Sequence, residues 1–196
     1  TAYCMLACGN EPSGRWVPWV SKFVDYWKAT DPRHVYTGAS VGGSWQWQPH
    51  NQYHVKAGAR GLSWAGSQPE SMSDYRAKID SVKQPYVSHE TGQWCAFPNF
   101  SEIRKYTGVN KAKNFEIFRD ILNDNHMGSM GHDFMMASGK LQAICYKHEI
   151  EKTLRTPDYA GFQLLALNDY SGQGTALVGL LAVSYTHLTL PTNSRV

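Results

Sequence analysis

The sequence has no long hydrophobic run. None of its 196 residues fall in a stretch of about 18 consecutive apolar residues, which a transmembrane helix requires. The 19 lysines and arginines are scattered and form no basic tract, and the formal net charge is only +3. We therefore expect neither a membrane nor a nucleic acid among the partners of this chain.

Cysteine is scarce, and its spacing does not suit metal binding. The four cysteines are Cys4, Cys8, Cys95 and Cys145, and they include no Cys-x-x-Cys pair, so a structural zinc site has little support. Cys4 and Cys8 belong to one short apolar run, where strand geometry holds them too far apart to bond easily. We interpret all four as small buried side chains.

The sequence also lacks an initiating methionine. It begins at Thr1 and enters a strand-like apolar run at once, so we expect a fragment whose amino-terminal part is missing. Any signal peptide is missing with that part. Residues 182–196, "AVSYTHLTLPTNSRV", resemble the translated read-through of a sequencing adaptor. We therefore expect one domain over residues 1–181, followed by a non-native tail.

The composition that remains is that of a globular α/β protein. Hydrophobic residues make up 42% of the chain and charged residues 18%, which is enough apolar material for a core. Short apolar runs alternate with amphipathic segments, and this alternation predicts a parallel sheet. The predicted strands cover residues 2–7, 34–40, 59–64, 84–94 and 160–169, and the predicted helices cover 15–29, 69–83, 110–127 and 139–154.

Two glutamates come directly after predicted strands. Glu11 follows the first apolar run, and Glu90 lies in "YVSHETG". In parallel α/β folds, chemistry gathers at the carboxyl ends of the strands. A single glutamate there is most often a helix amino-terminal charge or an exposed loop residue. Because buried carboxylates are costly unless paired or perturbed, two at one rim favour acid and base chemistry.

Three stretches together resemble the family 2 glycoside hydrolases, which include β-galactosidases, β-glucuronidases and β-mannosidases. They are "CMLACGNEPSG", "PYVSHETGQW" and "GFQLLALNDYSGQGTALVG", and the resemblance covers residues 1–181. It implies the carboxyl-terminal half of a (β/α)₈ TIM barrel, approximately strands 4 to 8. The first barrel strands and the β-sandwich domains that precede the barrel in this family are then missing partners from the same chain.

The resemblance implies a role for each acid. Glu11 is the general acid/base and Glu90 the nucleophile of a retaining exo-glycosidase, while Asn10 bonds the sugar 2-hydroxyl. Glu90 follows Glu11 by 79 residues (90 − 11), which leaves room for two further strands between them. A retaining enzyme needs its two carboxyl groups about 5 to 5.5 Å apart.

The implied reaction removes a terminal β-linked sugar, a β-galactoside first, from an oligosaccharide or other glycoside. It proceeds by double displacement through a glycosyl-enzyme and needs no cofactor. By analogy with enzymes of this type, the weakly favoured localisation is periplasmic or extracellular.

Aromatic loops suit a sugar ligand, because the apolar faces of pyranose rings stack on indoles. Four tryptophans at or beyond predicted strand ends are candidates, with closure of the barrel rim as the alternative: Trp45, Trp47, Trp64 and Trp94. Three others at helical spacing are expected in the core: Trp16, Trp19 and Trp27.

Two polar side chains near the strand ends are further candidates for sugar contacts. His89 precedes Glu90, and alternation along a strand turns it away from its neighbour's face. This favours packing for His89, with a substrate contact as the alternative. Asp169 ends the last predicted strand and either contacts sugar hydroxyls or closes the barrel.

Two other classes of function stay open from the residues. The tryptophan loops fit a non-catalytic carbohydrate-binding module, which binds sugar without turnover. A metal-dependent hydrolase is the third possibility, but no histidine pair has a convincing helical ligand spacing, so we predict no metal site. The histidines considered are His50, His54, His126 and His132, the last beside Asp133.

Overall fold

The computed structural model describes residues 3–169 and 177–179. Within them, five parallel strands form one sheet in the order β1-β2-β3-β4-β5, which confirms the predicted α/β class and parallel sheet. The strands are β1 (Met5–Asn10), β2 (Val35–Val41), β3 (His54–Lys56), β4 (Tyr86–Thr91) and β5 (Tyr159–Leu164). The expected tail, 182–196, and part of the third family-like stretch, 170–176, lie outside the described residues.

Over residues 3–169 and 177–179, four α-helices accompany the strands: α1 (Val17–Thr30), α2 (Arg76–Ile79), α3 (Lys113–Asp124) and α4 (Gly131–Arg155). The predictions of α1 and α3 are confirmed, whereas α4 begins inside a segment that we expected to be a loop. Among the described residues, no helix combines the length and apolar character needed to cross a membrane.

Helix α2 is a single turn, although the sequence predicts a helix over 69–83. The carboxylate of Glu70 accepts hydrogen bonds from the backbone N–H groups of Met72 and Ser73 and from the Ser73 hydroxyl. Such local side-chain bonds offer the backbone an alternative to helical pairing. The helix therefore starts only after this turn.

Helix α1 packs on β2 through a narrow apolar face. Val20 and Val24 are buried, and the close approach requires Gly38, where a methyl group would lie 2.7 Å from Val20 Cγ2. Trp19 is 68% exposed, so its prediction as a core residue is wrong, because it lies beside this face and points outward. Trp16 is the N-cap residue of the helix, but its side chain makes no capping hydrogen bond.

The two strands at the edges of the described sheet are less buried than the sequence predicts. The first and last apolar runs are predicted to be buried strands, but every residue of β1 and β5 is exposed or half-buried. Each pairs with one neighbour only, which leaves one side of its backbone uncovered. For the same reason Cys4 is exposed. Cys95 is exposed as well, so only Cys145 is as buried as predicted.

Contacts divide the chain into two compact units. Among the described residues, the first unit contains everything up to Thr91 together with His148–Leu164, and therefore the whole sheet. The second contains Gly92–Lys147 and the described residues after Leu164. Its core includes Ala112, Phe115 and Leu177.

Gly92 occupies a position in the second unit that excludes any side chain. Its φ is +82°, and an added methyl group would lie 2.0 Å from a ring carbon of Tyr146. The glycine of the Glu-Thr-Gly stretch is thus required by packing as well as by backbone conformation.

Candidate active site

The two glutamates singled out by the sequence stand at the carboxyl ends of two strands in the first unit. Glu11 directly follows β1, and its backbone N–H donates to the Ser40 carbonyl at 2.9 Å, which extends the pairing with β2 by one residue. Glu90 is the fifth residue of β4. Strands β2 and β3 lie between them in the sheet, so parallel pairing carries both acids to the same rim.

Both glutamates have a left-handed backbone. Their φ angles are +40° for Glu11 and +53° for Glu90. Non-glycine residues rarely adopt this conformation, which costs of order 1–3 kcal/mol and tends to occur where function requires it. The strain is therefore found at both of the positions that the sequence argument selected for chemistry.

The left-handed turn at Glu90 changes which side chains face the site. Pairing of β4 with β5 shifts register between Ser88 and Thr91, as in a β-bulge. Regular alternation would send His89 and Glu90 to opposite faces. Instead, His89 Nε2 lies 3.6 Å from Glu90 Oε1, so both side chains point toward the same region.

Glu11, His89 and Glu90 converge there. His89 Nε2 lies 3.9 Å from Glu11 Oε1, and one oxygen of each carboxylate and one imidazole nitrogen all lie within 4.8 Å of one another. The Glu11 side chain is 44% exposed and the Glu90 side chain 25% exposed, so solvent and ligands reach both.

His89 is buried and only partly satisfied. Its Nδ1 lies 3.3 Å from Gln163 Oε1 on β5, whereas Nε2 has no hydrogen-bond partner although it is inaccessible to solvent. The burial of the ring agrees with the predicted packing role, although strand alternation did not predict that it would face Glu90. The ring nitrogen points at the two carboxylates because the bulge turns Glu90 toward it.

Arg60 is a site residue that the sequence argument missed. Its Nη1 donates to the carbonyl oxygens of His89 at 2.6 Å and Glu90 at 3.0 Å, and lies 3.6 Å from Glu90 Oε2. It therefore binds both the backbone of the bulge and the carboxylate. The sequence predicts a strand over 59–64. In the structure, Arg60 instead lies in the loop that follows β3.

Polar side chains anchor the loop that carries Arg60. The hydroxyl of Tyr75 donates to the Gly61 carbonyl, that of Tyr86 to the Lys56 carbonyl, and that of Tyr159 to the Ala59 carbonyl. Burial raises the pKa of all three phenols, so they remain neutral donors.

A buried carboxylate completes the anchoring of this loop. Glu149, 1% exposed, accepts from the Gly61 N–H at 2.7 Å. With the three phenols, it fixes the loop on both sides of Arg60. The position of the guanidinium relative to Glu90 is thus determined by buried groups rather than by solvent-exposed ones.

Two further predicted contacts lie next to Glu11. Asn10 is the exposed last residue of β1 and pairs in register with Ser40. A methyl group on Gly42 would lie 3.8 Å from Glu11 Oε1 and 3.6 Å from Trp45 Nε1, so this glycine separates the carboxylate from the indole. Trp45 is half-buried, and its ring lies 5.4 Å from that of Trp16.

Other predicted sugar contacts lie in different surroundings. Trp47 packs edge-on against His54 and Tyr86, beneath the ammonium of Lys56 at 4.5 Å, so it belongs to the core at the other end of the sheet. Trp64 packs against the ring of His148.

Trp94 and Asp169 belong to the second unit. The Trp94 carbonyl accepts from Gln142 Nε2 at 2.6 Å, and the carboxylate of Asp169 accepts from the Gly179 N–H at 2.6 Å. Burial raises the pKa of the Asp169 carboxyl.

A groove of about 380 Å³ lies at the opposite, amino end of β4 and β5. Its lining includes Arg76, Asp80, Gln84 and Asp158, and none of the predicted site residues contributes to it. The converging carboxylates, rather than the groove, define the candidate site.

The arrangement supports two kinds of chemistry. Two carboxylates at this separation can attack and protonate at one bond, as a retaining glycosidase requires. A nitrogen and two oxygens are also ligand types that transition metals accept. No protein-family model matches the chain, and no curated protein sequence matches it either.

Proposed function

We propose that this chain is the carboxyl-terminal half of the catalytic barrel of a family 2 glycoside hydrolase, a retaining exo-glycosidase that removes terminal β-linked sugars. The observation that carries the proposal is the convergence of Glu11 and Glu90, with oxygens within 4.8 Å of each other although the residues belong to strands three positions apart. An inverting glycosidase would hold its carboxyl groups about 6.5–9.5 Å apart.

The order of the strands supports the barrel. A doubly wound sheet reverses its order at a switch point. Here each successive strand adds to the same side of the previous one, which is how a (β/α)₈ barrel grows. The half-exposed edge strands β1 and β5 suit positions that further barrel strands cover.

In the proposed reaction, Glu90 attacks the anomeric carbon while Glu11 protonates the departing glycosidic oxygen. The bond to the leaving group breaks as the glycosyl–Glu90 ester forms. Glu11 then takes a proton from water, whose oxygen attacks the anomeric carbon and releases Glu90. The greater exposure of Glu11 suits a group that gives a proton to the leaving oxygen and takes one from water in each cycle.

Asn10 and Trp45 are the proposed sugar contacts in this half of the site. The exposed amide of Asn10 next to Glu11 is placed to bond the 2-hydroxyl, an interaction that strengthens in the transition state. The indole of Trp45 offers a stacking face for the ring. A β-galactoside is the first candidate substrate.

The proposal is tested by nucleophile rescue in the complete gene product that contains residues 1–181. Glu90→Ala should abolish hydrolysis of nitrophenyl β-galactoside, and azide should restore turnover with α-galactosyl azide as the product. Glu11→Ala with the same substrate should instead give the β-azide, because the glycosyl-enzyme still forms.

Controls separate the proposal from its alternatives. Glu102→Ala removes a carboxylate of the second unit that pairs with Lys105, and it should leave turnover unchanged. Full hydrolysis by Glu90→Ala would overturn the nucleophile assignment. Binding of galactosides without turnover in the unsubstituted protein would identify a carbohydrate-binding module instead.

A further inference from the structure

The unpartnered nitrogen of His89 has no explanation in the glycosidase reaction alone. The ring is 4% exposed, and its Nε2 lacks a hydrogen-bond partner while facing two carboxylate oxygens at 3.6 and 3.9 Å. A buried polar atom left unpaired costs roughly 1–3 kcal/mol, so native proteins seldom keep one without a ligand or a function.

The contact made by the other ring nitrogen, Nδ1, bears on which tautomer the His89 ring adopts. Nδ1 lies 3.3 Å from Gln163 Oε1, an oxygen acceptor, and this contact suits the tautomer with its proton on Nδ1. In that tautomer Nε2 presents a lone pair to two carboxylates. Three electron-pair donors that lie within 4.8 Å of one another attract a cation. A hydrogen bond from the non-ligating nitrogen of a metal-bound histidine is the usual support for such a ligand.

We propose that Glu11, His89 and Glu90 form a binding site for a divalent transition-metal ion, best suited to Zn²⁺, and that the bound ion excludes the sugar. The exclusion rests on the proposed glycosidase function, whereas binding of the ion does not.

The two distances to His89 suit zinc after a small contraction, while the two carboxylate oxygens lie within 4.8 Å of each other. Zinc binds nitrogen and oxygen at about 2.0–2.2 Å, which sets tetrahedral ligand atoms roughly 3.3–3.5 Å apart. The two contacts of His89 Nε2, at 3.6 and 3.9 Å, exceed that separation by only a few tenths of an ångström. The half-exposed Glu11 side chain can supply the movement, and a water molecule or a substrate oxygen would take the fourth position.

Ligand type selects the metal. An imidazole with two carboxylates suits zinc and its neighbours, whereas magnesium prefers oxygen ligands and keeps much of its water. Arg60 contacts the outer oxygen of Glu90, Oε2, at 3.6 Å, which leaves Oε1 facing His89. Because the ion would engage both proposed catalytic carboxylates, a sugar could not use them at the same time.

The test titrates ZnCl₂ into the purified 196-residue chain by calorimetry. One ion should bind, and His89→Ala should weaken it more than the 10- to 100-fold that loss of an outer contact costs. His50→Ala is the matched control, since His50 forms a surface pair with Asp25, and it should bind as the unsubstituted chain does. MgCl₂ should not compete.

Two further variants keep the test decisive even if His89→Ala does not fold. Glu11→Gln changes a half-exposed side chain and should also abolish tight binding. Gln163→Ala should weaken binding about tenfold by removing the hydrogen bond to Nδ1. Equal zinc affinity in the original chain, His89→Ala and Glu11→Gln would overturn the proposal, as would no binding at millimolar zinc.

Exclusion of the sugar is measured in the complete gene product. Zinc should raise the KM for nitrophenyl β-galactoside without changing kcat, and a chelator should reverse the effect. Zinc-dependent stimulation would overturn the exclusion and indicate a metal-assisted hydrolase. Zinc binding in a protein that hydrolyses no glycoside would overturn the glycosidase proposal while supporting the metal site.

Discussion

A histidine is buried at each end of the parallel sheet, and the two histidines differ in their hydrogen bonding. His54 begins β3 and His89 lies near the end of β4, and each is only 4% exposed. His54 Nε2 lies 3.3 Å from Gln84 Oε1, and its ring packs edge-on against Trp47. His89 Nε2 instead lacks a hydrogen-bond partner and faces two carboxylates.

The two ends therefore differ in whether their local interactions favour or oppose folding of the first unit. At the amino end, aromatic packing and paired polar groups favour folding. At the carboxyl end, two left-handed glutamates and an unpaired nitrogen oppose it. Changes at the carboxyl end should therefore alter turnover more than stability, and changes at the amino end should do the reverse.

After Glu90, whose removal should abolish hydrolysis, the largest expected effect is at Glu11. In the complete gene product, Glu11→Ala should lower kcat/KM for an alkyl β-galactoside about 10²–10⁴-fold, the range for loss of a general acid. A dinitrophenyl galactoside needs no proton, so its glycosylation step should slow much less. Steady-state kinetics with both substrates and thermal unfolding check this. Equal losses for both substrates would contradict the acid role.

The next-largest expected effect is on the free energy of unfolding, which should depend on pH through His54. Burial lowers the pKa of His54 to about 4 from the usual 6.5. The unfolded chain therefore binds a proton that the folded chain rejects, so this contribution is complete above pH 6.5 and is lost as the pH falls through 4. At about 1.4 kcal/mol per pH unit, the loss reaches roughly 3 kcal/mol.

Denaturant unfolding of the chain between pH 7 and pH 4 checks this dependence. His54→Gln should flatten the pH profile, while the exposed control His50→Gln should leave it unchanged. A profile that keeps its slope without His54 would assign the dependence to another group.

A smaller effect is expected at Arg60. Arg60→Met should remove the hydrogen bonds to the carbonyls of the bulge and, if Glu90 is the nucleophile as proposed, lower kcat about 10- to 100-fold through its misalignment with the sugar. KM should change much less, and Arg60→Lys should recover part of kcat. Arg76→Met, which removes an exposed arginine paired with Asp74, is the control. A larger change in KM than in kcat would argue for a direct sugar contact.

The smallest effect is expected at Tyr159, at the amino end of β5. Tyr159→Phe removes one buried hydrogen bond to the Ala59 carbonyl and should lower the free energy of unfolding by about 1 kcal/mol. Tyr26→Phe, an exposed control, should change it little. If turnover fell more than tenfold with stability unchanged, the division between the two ends of the sheet would fail.

The sequence predicts the positions of the two glutamates better than it predicts the side chains around them. Glu11 and Glu90 could be selected because polar residues after apolar runs in a parallel fold meet at one rim. Burial of β1 and β5 was overestimated, since apolar content does not reveal which strands have two neighbours.

Two site residues depend on interactions that local patterns do not contain. His89 faces the acids only because Glu90 is left-handed, and strand alternation predicts the opposite. Arg60 reaches carbonyls 29 and 30 residues away in the chain. A single sequence carries no periodic signal for either feature.

The left-handed backbone at the two glutamates has a consequence for protein engineering. Glycine adopts this conformation without the cost of about 1 kcal/mol or more that a glutamate incurs. A library of variants screened only for resistance to heat should therefore accumulate glycine or asparagine at positions 11 and 90. The most robust survivors of such a screen would be inert, and heat tolerance alone would be a misleading guide to useful variants.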